Sequence, residues 1–292
     1  MSKPFEQVKE VILVYDNNPK NNKFPKRLRF STDQVEGINQ IGLKDLNMIG
    51  SGAFNESQLE KITKGKASVI VVDLREESHG YINGEPICWY EGRNTANEGK
   101  ATGDIIISEY AALSAILPGF NVPIAYIANK KNGIVENYDW HYPLTQTVMN
   151  EQQLIESQGH EYQRFFVTNH QHPSDNEVDR FLTFADTVPY DSWLYFHCRA
   201  GAGRTTTFMV MYDIIRTGSD VPLEDIIERH AALGGKSLFD FPEGRGYKYE
   251  SAVERKKFLE NFYSYVTSGA ISEISWTEWN QQTRSYYPTS ET

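Results

Sequence analysis

The sequence predicts an α/β fold: a central sheet flanked by helices, carrying a small antiparallel β-barrel-like unit. Three observations predict it. Residues 68–74 (SVIVVDL) form an unbroken apolar run, as expected of a strand buried on both faces. Four later stretches repeat apolar residues at helical spacing. Five short β-branched or aromatic runs, two pairs of them joined by Asn-Gly, read as the strands of a second sheet.

In chain order, residues 11–15 (VILVY) open the small unit. The central run at 68–74 follows, so the small unit is split in sequence. It resumes with strands at 80–82 and 86–90, joined at Asn83-Gly84, and at 123–128 and 134–138, joined at Asn132-Gly133. Asn-Gly supplies the positive φ angles of a two-residue hairpin turn. Residues 193–196 (WLYF) predict a second buried strand of the central sheet. Helices are predicted over 176–187, 205–216, 223–233 and 251–266. Ser174 or Asp175 can cap the first, and Gly234-Gly235 can stop the third. The segment after residue 268 is polar but still aromatic, which predicts a docked piece with a frayed end.

A chain of 292 residues can bury a large core without disulfides or a structural metal. Its two cysteines, Cys88 and Cys198, form no Cys-x-x-Cys pair, which argues against a disulfide framework or a zinc cluster. Net charge is −10, so nucleic acid is an improbable partner, and an anionic ligand requires a local basic pocket set against the overall field. No apolar run approaches the ~18 residues of a membrane span. The first residues (MSKPFEQV) hold no apolar signal core, which leaves the compartment open: cytosolic, translocated, or secreted with a leader removed.

The chemistry concentrates in residues 197–205, HCRAGAGRT, between a predicted strand and a predicted helix. A helix N-terminus and a nearby arginine lower a cysteine's pKa from ~8.5 to about 3.5–7.5, which makes Cys198 a thiolate. Gly201 and Gly203 let successive N–H groups turn inward as an anion nest, with Arg199, Ala200 and Ala202 completing the loop. Arg204 offers a planar, permanently charged fork for two phosphate oxygens. Thr205 can hydrogen-bond the sulfur when it leaves, and His197 opens the motif. Such a loop binds phosphate, attacks phosphorus through the thiolate and releases a phosphocysteine to water. It needs no metal or other cofactor, because backbone dipoles and Arg204 carry the developing charge.

The loop is the signature of the protein tyrosine phosphatase superfamily. Residues 72–81 (VDLREESHGY), 89–90 (WY), 96–97 (AN), 179–182 (DRFL) and 205–211 (TTTFMVM) narrow the likeness. Together they resemble the bacterial protein tyrosine phosphatase-like inositol polyphosphatases, or phytases, over residues 27–279. The resemblance implies a phosphatase core (29–79 and 149–292) bearing a small β domain (1–28 and 80–148). It implies stepwise removal of phosphates from myo-inositol hexakisphosphate, a small polyanionic substrate. Arg29 matches a substrate-binding arginine, Asp73 a substrate-contacting or loop-organising acid, and His170 a residue beside the acid loop. Arg245 and Lys248 fall where the family places cations for the other phosphates, although this segment is shorter here. Asp73, Arg75 and His79, in the matched segment, fit either substrate contact, with His79 as a further substrate-binding residue, or an internal polar network. Arg29 also fits a surface charge, and Arg245 and Lys248 a solvated face. Arg199 either deepens the positive potential or lies on the rim of the loop.

One position departs from the family pattern. The family's general acid is an aspartate in a Thr-Asp-His context, where this chain has Thr168-Asn169-His170. A carboxamide can orient a leaving group but has no proton to deliver. Three explanations stand open: an engineered Asn169, an acid supplied by His170, His172 or Asp175, or a slow protein that serves partly as an inositol-phosphate binder. A phosphotyrosine or phosphoinositide phosphatase is the alternative enzymatic reading.

Overall fold

The computed structural model describes residues 11–17, 23–131, 134–244 and 246–286. Two sheets organise the chain. The five-stranded sheet contains β2 (Arg29–Phe30), β3 (Met48–Ser51), β4 (Val69–Asp73), β10 (Glu161–Arg164) and β11 (Trp193–His197) in the order β10-β4-β11-β3-β2. All its joins are parallel except the edge pair β2–β3. The six-stranded sheet contains β1 (Ile12–Tyr15), β5 (His79–Ile82), β6 (Glu85–Tyr90), β7 (Ile124–Lys131), β8 (Ile134–His141) and β9 (Val148–Met149) in the order β8-β7-β1-β6-β5-β9.

The helices are α1 (Glu56–Thr63), α2 (Thr102–Ser114), α3 (Glu151–Ser157), α4 (Asp175–Thr187), α5 (Gly203–Thr217), α6 (Leu223–Ala232), α7 (Tyr247–Thr267) and α8 (Trp276–Tyr286). The α/β reading of the sequence describes this architecture. Successive side chains of a strand point to opposite faces, and the two faces of the parallel sheet carry separate cores. Ile70, Val72, Leu194 and Phe196 join a large cluster with residues of α4 to α8. Val69, Val71 and Tyr195 join a smaller one with Phe54, Leu59 and Leu154.

Local chemistry accounts for the element ends. Asn83 and Gly84 have φ of 53° and 75°, the positive pair of the predicted hairpin turn between β5 and β6. β7 and β8 pair as the second hairpin, whose Asn132-Gly133 tip lies outside the described residues. Ser174 caps α4 by accepting from the Glu177 N–H. The piece after residue 268 docks as α8, where Trp276 is buried against Phe258, Phe262 and Tyr265.

The small sheet differs from the predicted five-stranded antiparallel unit in two respects. β9 adds a sixth strand, and β1 joins β7 in parallel. Among the described strands the sheet is open, since β8 and β9 stand at opposite ends of the order.

Candidate active site

Register sets the site. His197, the last residue of β11, stands opposite Asp73 of β4 and Ser51 of β3. Three parallel strands therefore end at one level, and ligands of open α/β sheets bind outside such carboxyl ends. Residues 198–202 turn there from β11 into α5. Gly201 has φ of 67°, and a Cβ at that position would lie 2.4 Å from the Gly52 nitrogen. The loop is thus pressed against the Ser51-Gly52 backbone so closely that only glycine fits.

Cys198 is buried, and burial by itself would raise its thiol pKa. The Arg204 guanidinium, the Thr205 hydroxyl and the N–H groups of Thr205 and Ala200 outweigh it and bring the thiol below its usual value. The Thr205 hydroxyl donates to the sulfur at 3.1 Å. Arg204 is held by Glu77 in a two-point pair, Nη1 to Oε2 at 2.5 Å and Nη2 to Oε1 at 2.8 Å. Asn94 donates to the same Oε1 at 2.9 Å.

Above the loop lies a cavity of about 380 Å³. Arg93, Arg199, Arg204, Lys236, Lys248 and Arg255 line it together with Cys198, and no carboxylate does so among the described residues. Crowding shows in the cations themselves. Burial and the neighbouring Arg204 lower Arg255 to about 10, and burial with Arg255 and Lys248 nearby lowers Lys236. The Arg93 guanidinium lies 3.6 Å from the Tyr247 ring centroid, a cation–π contact that forms one wall. Arg199 is anchored to Asp16 at 2.5 Å and sits 5.0 Å over the Tyr90 ring.

The loop at 168–171 closes the other side. The Asn169 side-chain amide donates to the Arg93 carbonyl at 2.7 Å. His170 has φ of 73°, its carbonyl accepts from Arg255 Nη2, and its ring meets the Tyr247 ring edge-on at 5.3 Å. Burial and the cations Arg204, Lys248, Arg255 and Lys236 push His170 down to about 4. His172 and Asp175 lie outside this cavity. The His172 ring stacks on Phe258, and Asp175 accepts from Trp276 Nε1 and Asn280 Nδ2 at 2.8 Å each.

Beneath the loop lies a second polar cluster, closed to solvent. Asp73 pairs with Arg75 Nε at 2.8 Å and His79 Nε2 at 3.0 Å, and Tyr162 donates to it at 3.1 Å. Glu151 pairs with Arg75 and, at 2.6 Å, with His197 Nε2. Asp73, Glu151 and His197 converge closely enough to suggest a metal site. Arg75 already supplies the positive charge that a cation would bring, because it pairs with both carboxylates.

Comparison with known proteins bears on this arrangement. A family model described as PTP-like phytase, inositol hexakisphosphate, matches residues 123–216. A solved PTP-like phytase from Bdellovibrio bacteriovorus is 31% identical with a TM-score of 0.74, and the match covers 96% of this chain and 97% of that one. This chain belongs to the PTP-like phytase family. A PTP-like myo-inositol phosphatase from Mitsuokella multacida, solved with myo-inositol-(1,3,4,5)-tetrakisphosphate, is 30% identical with a TM-score of 0.86. The match covers 96% of this chain and 49% of that one, so the chain spans about half its length. The effector protein HopD2 of Pseudomonas syringae pv. tomato is 26% identical over 286 residues, 94% of this chain and 61% of its own.

The phytase-like loop thus brings together Cys198, Arg199, Ala200, Ala202, Gly203 and Arg204 with Asn169, His170 and Lys248 around one cavity. Thr205 stands behind it on the sulfur. Three residues matched through the resemblance stand elsewhere. Arg29 is fully buried behind the loop, where Nη1 donates to the Gly201 carbonyl and Nη2 to Thr206 Oγ1, each at 3.1 Å. Neither surface charge nor cavity wall describes that position. Asp73 and His79 lie in the buried cluster, because four basic partners (Arg75, His79, Arg164 and His197) and Tyr162 already surround the Asp73 carboxylate. His197 is also in that cluster. Arg245 lies outside the described residues. The cavity further includes Arg93, Lys236, Tyr247 and Arg255, which the sequence reading missed; nothing local marks them, since each is an ordinary polar residue until the fold converges them.

Proposed function

We propose that this chain is a cysteine-dependent phosphomonoester hydrolase acting on inositol polyphosphates. One observation carries the reading: a thiol held below its usual pKa stands at the floor of a cavity whose charged lining is entirely basic. A net charge of −10 makes that concentration of cations a local feature rather than a reflection of composition. The cavity is broad, with several cations around it, and suits a ligand carrying several phosphates better than a single phosphotyrosine. The tetrakisphosphate bound by the Mitsuokella relative supports the same reading.

In the first step the Cys198 sulfur attacks phosphorus. An S–P bond forms, the P–O bond to the inositol breaks, and the departing oxygen takes a proton. Loop N–H groups and Arg204 hold the three equatorial oxygens. In the second step water attacks the phosphocysteine and the sulfur leaves as a thiolate, stabilised by the Thr205 hydroxyl at 3.1 Å. Arg29 acts through the loop, gripping the Gly201 carbonyl from behind. We assign residues 29–79 and 149–292 to the phosphatase core and 1–28 and 80–148 to the small β domain.

The decisive measurement is phosphate release from myo-inositol hexakisphosphate. Cys198→Ser should abolish release, by a factor of about 10⁴ or more, and leave binding of the hexakisphosphate within about threefold. A residual rate of a few per cent would sink the phosphocysteine route. Asn169 favours one second reading, a module that binds inositol phosphates and turns them over slowly. That reading predicts tight binding with little turnover even in Asn169→Asp.

A further inference from the structure

We infer that His170 is the proton donor to the leaving oxygen in this chain, in place of the carboxyl that Asn169 lacks, and that a polyphosphate substrate makes it one. The inference rests on the phosphatase reading above. It starts from what the cavity offers. No carboxylate lines it among the described residues, arginine does not release its proton, and Cys198 is the nucleophile. Lysines and tyrosines ordinarily ionise near 10, far from the operating range of a general acid. Burial pushes Tyr90 up to about 12, and Lys236, though lowered by burial and its cationic neighbours, starts from that same high value. His170 is the lining group whose charge can change near neutrality. It follows Asn169 directly on the loop that faces Cys198.

Its placement is fixed from two sides. The left-handed backbone at φ 73° is uncommon for a residue with a side chain, and it is pinned by Arg255 donating to the His170 carbonyl. The ring is set by the edge of Tyr247. Cations face it from three elements: Arg204 from α5, Lys236 from the segment after α6, and Lys248 and Arg255 from α7. Arg93 stacks on the Tyr247 ring that the imidazole meets, and the carboxylates of Glu76 and Glu98 reach the same loop at Thr168 and Gln171.

Burial and those four cations together keep the imidazole neutral in the free chain, with a pKa of about 4. They are also the groups that phosphates would engage. A ligand bringing several phosphates cancels their repulsion and adds negative charge of its own, so the imidazole takes a proton from solvent as the substrate seats. The imidazolium then passes that proton to the inositol oxygen as the P–O bond breaks. The neutral ring left behind is the resting form again, and the water that attacks the phosphocysteine in the second step, common to every substrate, releases its proton to solvent. A single aryl phosphate neutralises less of the cation ring, and its phenolate departs without help.

The test is kcat against pH, from about 4 to 8, for the full chain and His170→Gln, with myo-inositol hexakisphosphate and p-nitrophenyl phosphate. The hexakisphosphate rate should fall on the alkaline side with a midpoint near or above 6, and His170→Gln should remove that limb. His170→Gln should also slow hexakisphosphate turnover by about 10²–10⁴-fold while the aryl ester changes by less than about threefold, which also reports an intact loop. Adding Asn169→Asp to His170→Gln should restore hexakisphosphate turnover. Equal loss on both substrates, or survival of the alkaline limb, overturns the inference alone. A wild-type chain that hydrolyses the aryl ester but releases nothing from the hexakisphosphate overturns the substrate reading, and the inference with it.

Discussion

Two polar clusters sit on either side of the same loop, and a histidine in each reports the difference. Below the loop, burial and Arg75 press His79 downward, but Asp73 and Glu109 prevail and hold it up at about 9. Above the loop, burial and four cations drive His170 down to about 4. The lower cluster balances its charges: Arg75 and Arg164 meet Asp73, Glu109 and Glu151. Among the described residues the upper one leaves its cations without carboxylates, apart from the anchors Glu77 on Arg204 and Asp16 on Arg199. A buried cluster that is internally neutral has done its electrostatic work when the chain folds. One that gathers like charge around open space stores repulsion that a ligand of opposite sign relieves. That contrast separates scaffold from site more sharply than residue type does, since both clusters are rich in arginine and histidine.

The largest effect that would break this comparison is on stability. Arg75→Met leaves Asp73 and Glu151 buried without their shared cation, and removing one partner of a buried pair costs about 3–5 kcal/mol. Denaturant unfolding should show that loss at pH 7. A loss under about 1 kcal/mol would mean that the lower cluster is not the structural one.

A pH titration of stability is next in size. His79, with a folded pKa of about 9 above an ordinary value of ~6.5, contributes stability that is complete below ~6.5 and lost as pH rises through ~9. His170 runs the other way. Its folded pKa of about 4 means the unfolded chain binds more protons between ~4 and ~6.5, so stability rises with pH across that window. The unfolding midpoint should therefore peak near pH 6.5, and the alkaline fall should amount to no more than about 3 kcal/mol. His79→Gln should flatten the alkaline side, whereas His170→Gln should flatten part of the acid side. An alkaline limb that survives His79→Gln would assign it to another group.

How much of this was visible in the sequence depended on whether the signal was local. The strand at β4, the helix cap at Ser174 and the Asn83-Gly84 turn were readable because each is decided by a few adjacent residues. The thiolate loop was readable for the same reason, since nucleophile, glycines and arginine fall within nine positions. α2 was not, because its buried residues Ile105, Glu109 and Leu113 are interleaved with the exposed Ile106 and Ile107, which hide the helical period. β3 and β10 are four residues each, and MIGS and EYQR carry little strand signal. The cavity wall was hidden more deeply. Arg93, Lys236 and Arg255 come from three distant segments, and a lone basic residue reads as solvated surface until parallel strand ends and α7 bring it over Cys198. Arg29 illustrates the reverse case, a residue matched as a ligand contact that the fold buries behind the loop instead.

The smallest expected effect sharpens the comparison most, because it asks the two clusters to respond with opposite sign. Arg255 is almost as buried as Arg75, yet burial and Arg204 lower it to about 10, while Arg75 is raised by Asp73 and Glu151 despite burial. Removing a like charge from a crowded cavity relieves repulsion, and the relief offsets the lost bond to the His170 carbonyl. Arg255→Gln should therefore leave the unfolding free energy within about 1 kcal/mol of wild type, where Arg75→Met loses several times that. Its cost should appear in KM for the hexakisphosphate, raised about tenfold, which corresponds to ~1.4 kcal/mol of lost binding. KM for an aryl monophosphate, which engages the loop and Arg204 alone, should move less. A variant that unfolds as readily as Arg75→Met would place Arg255 with the scaffold. One that keeps its stability but leaves KM unchanged would remove Arg255 from the substrate's path and narrow the polyanion site to Arg93, Arg199, Arg204, Lys236 and Lys248.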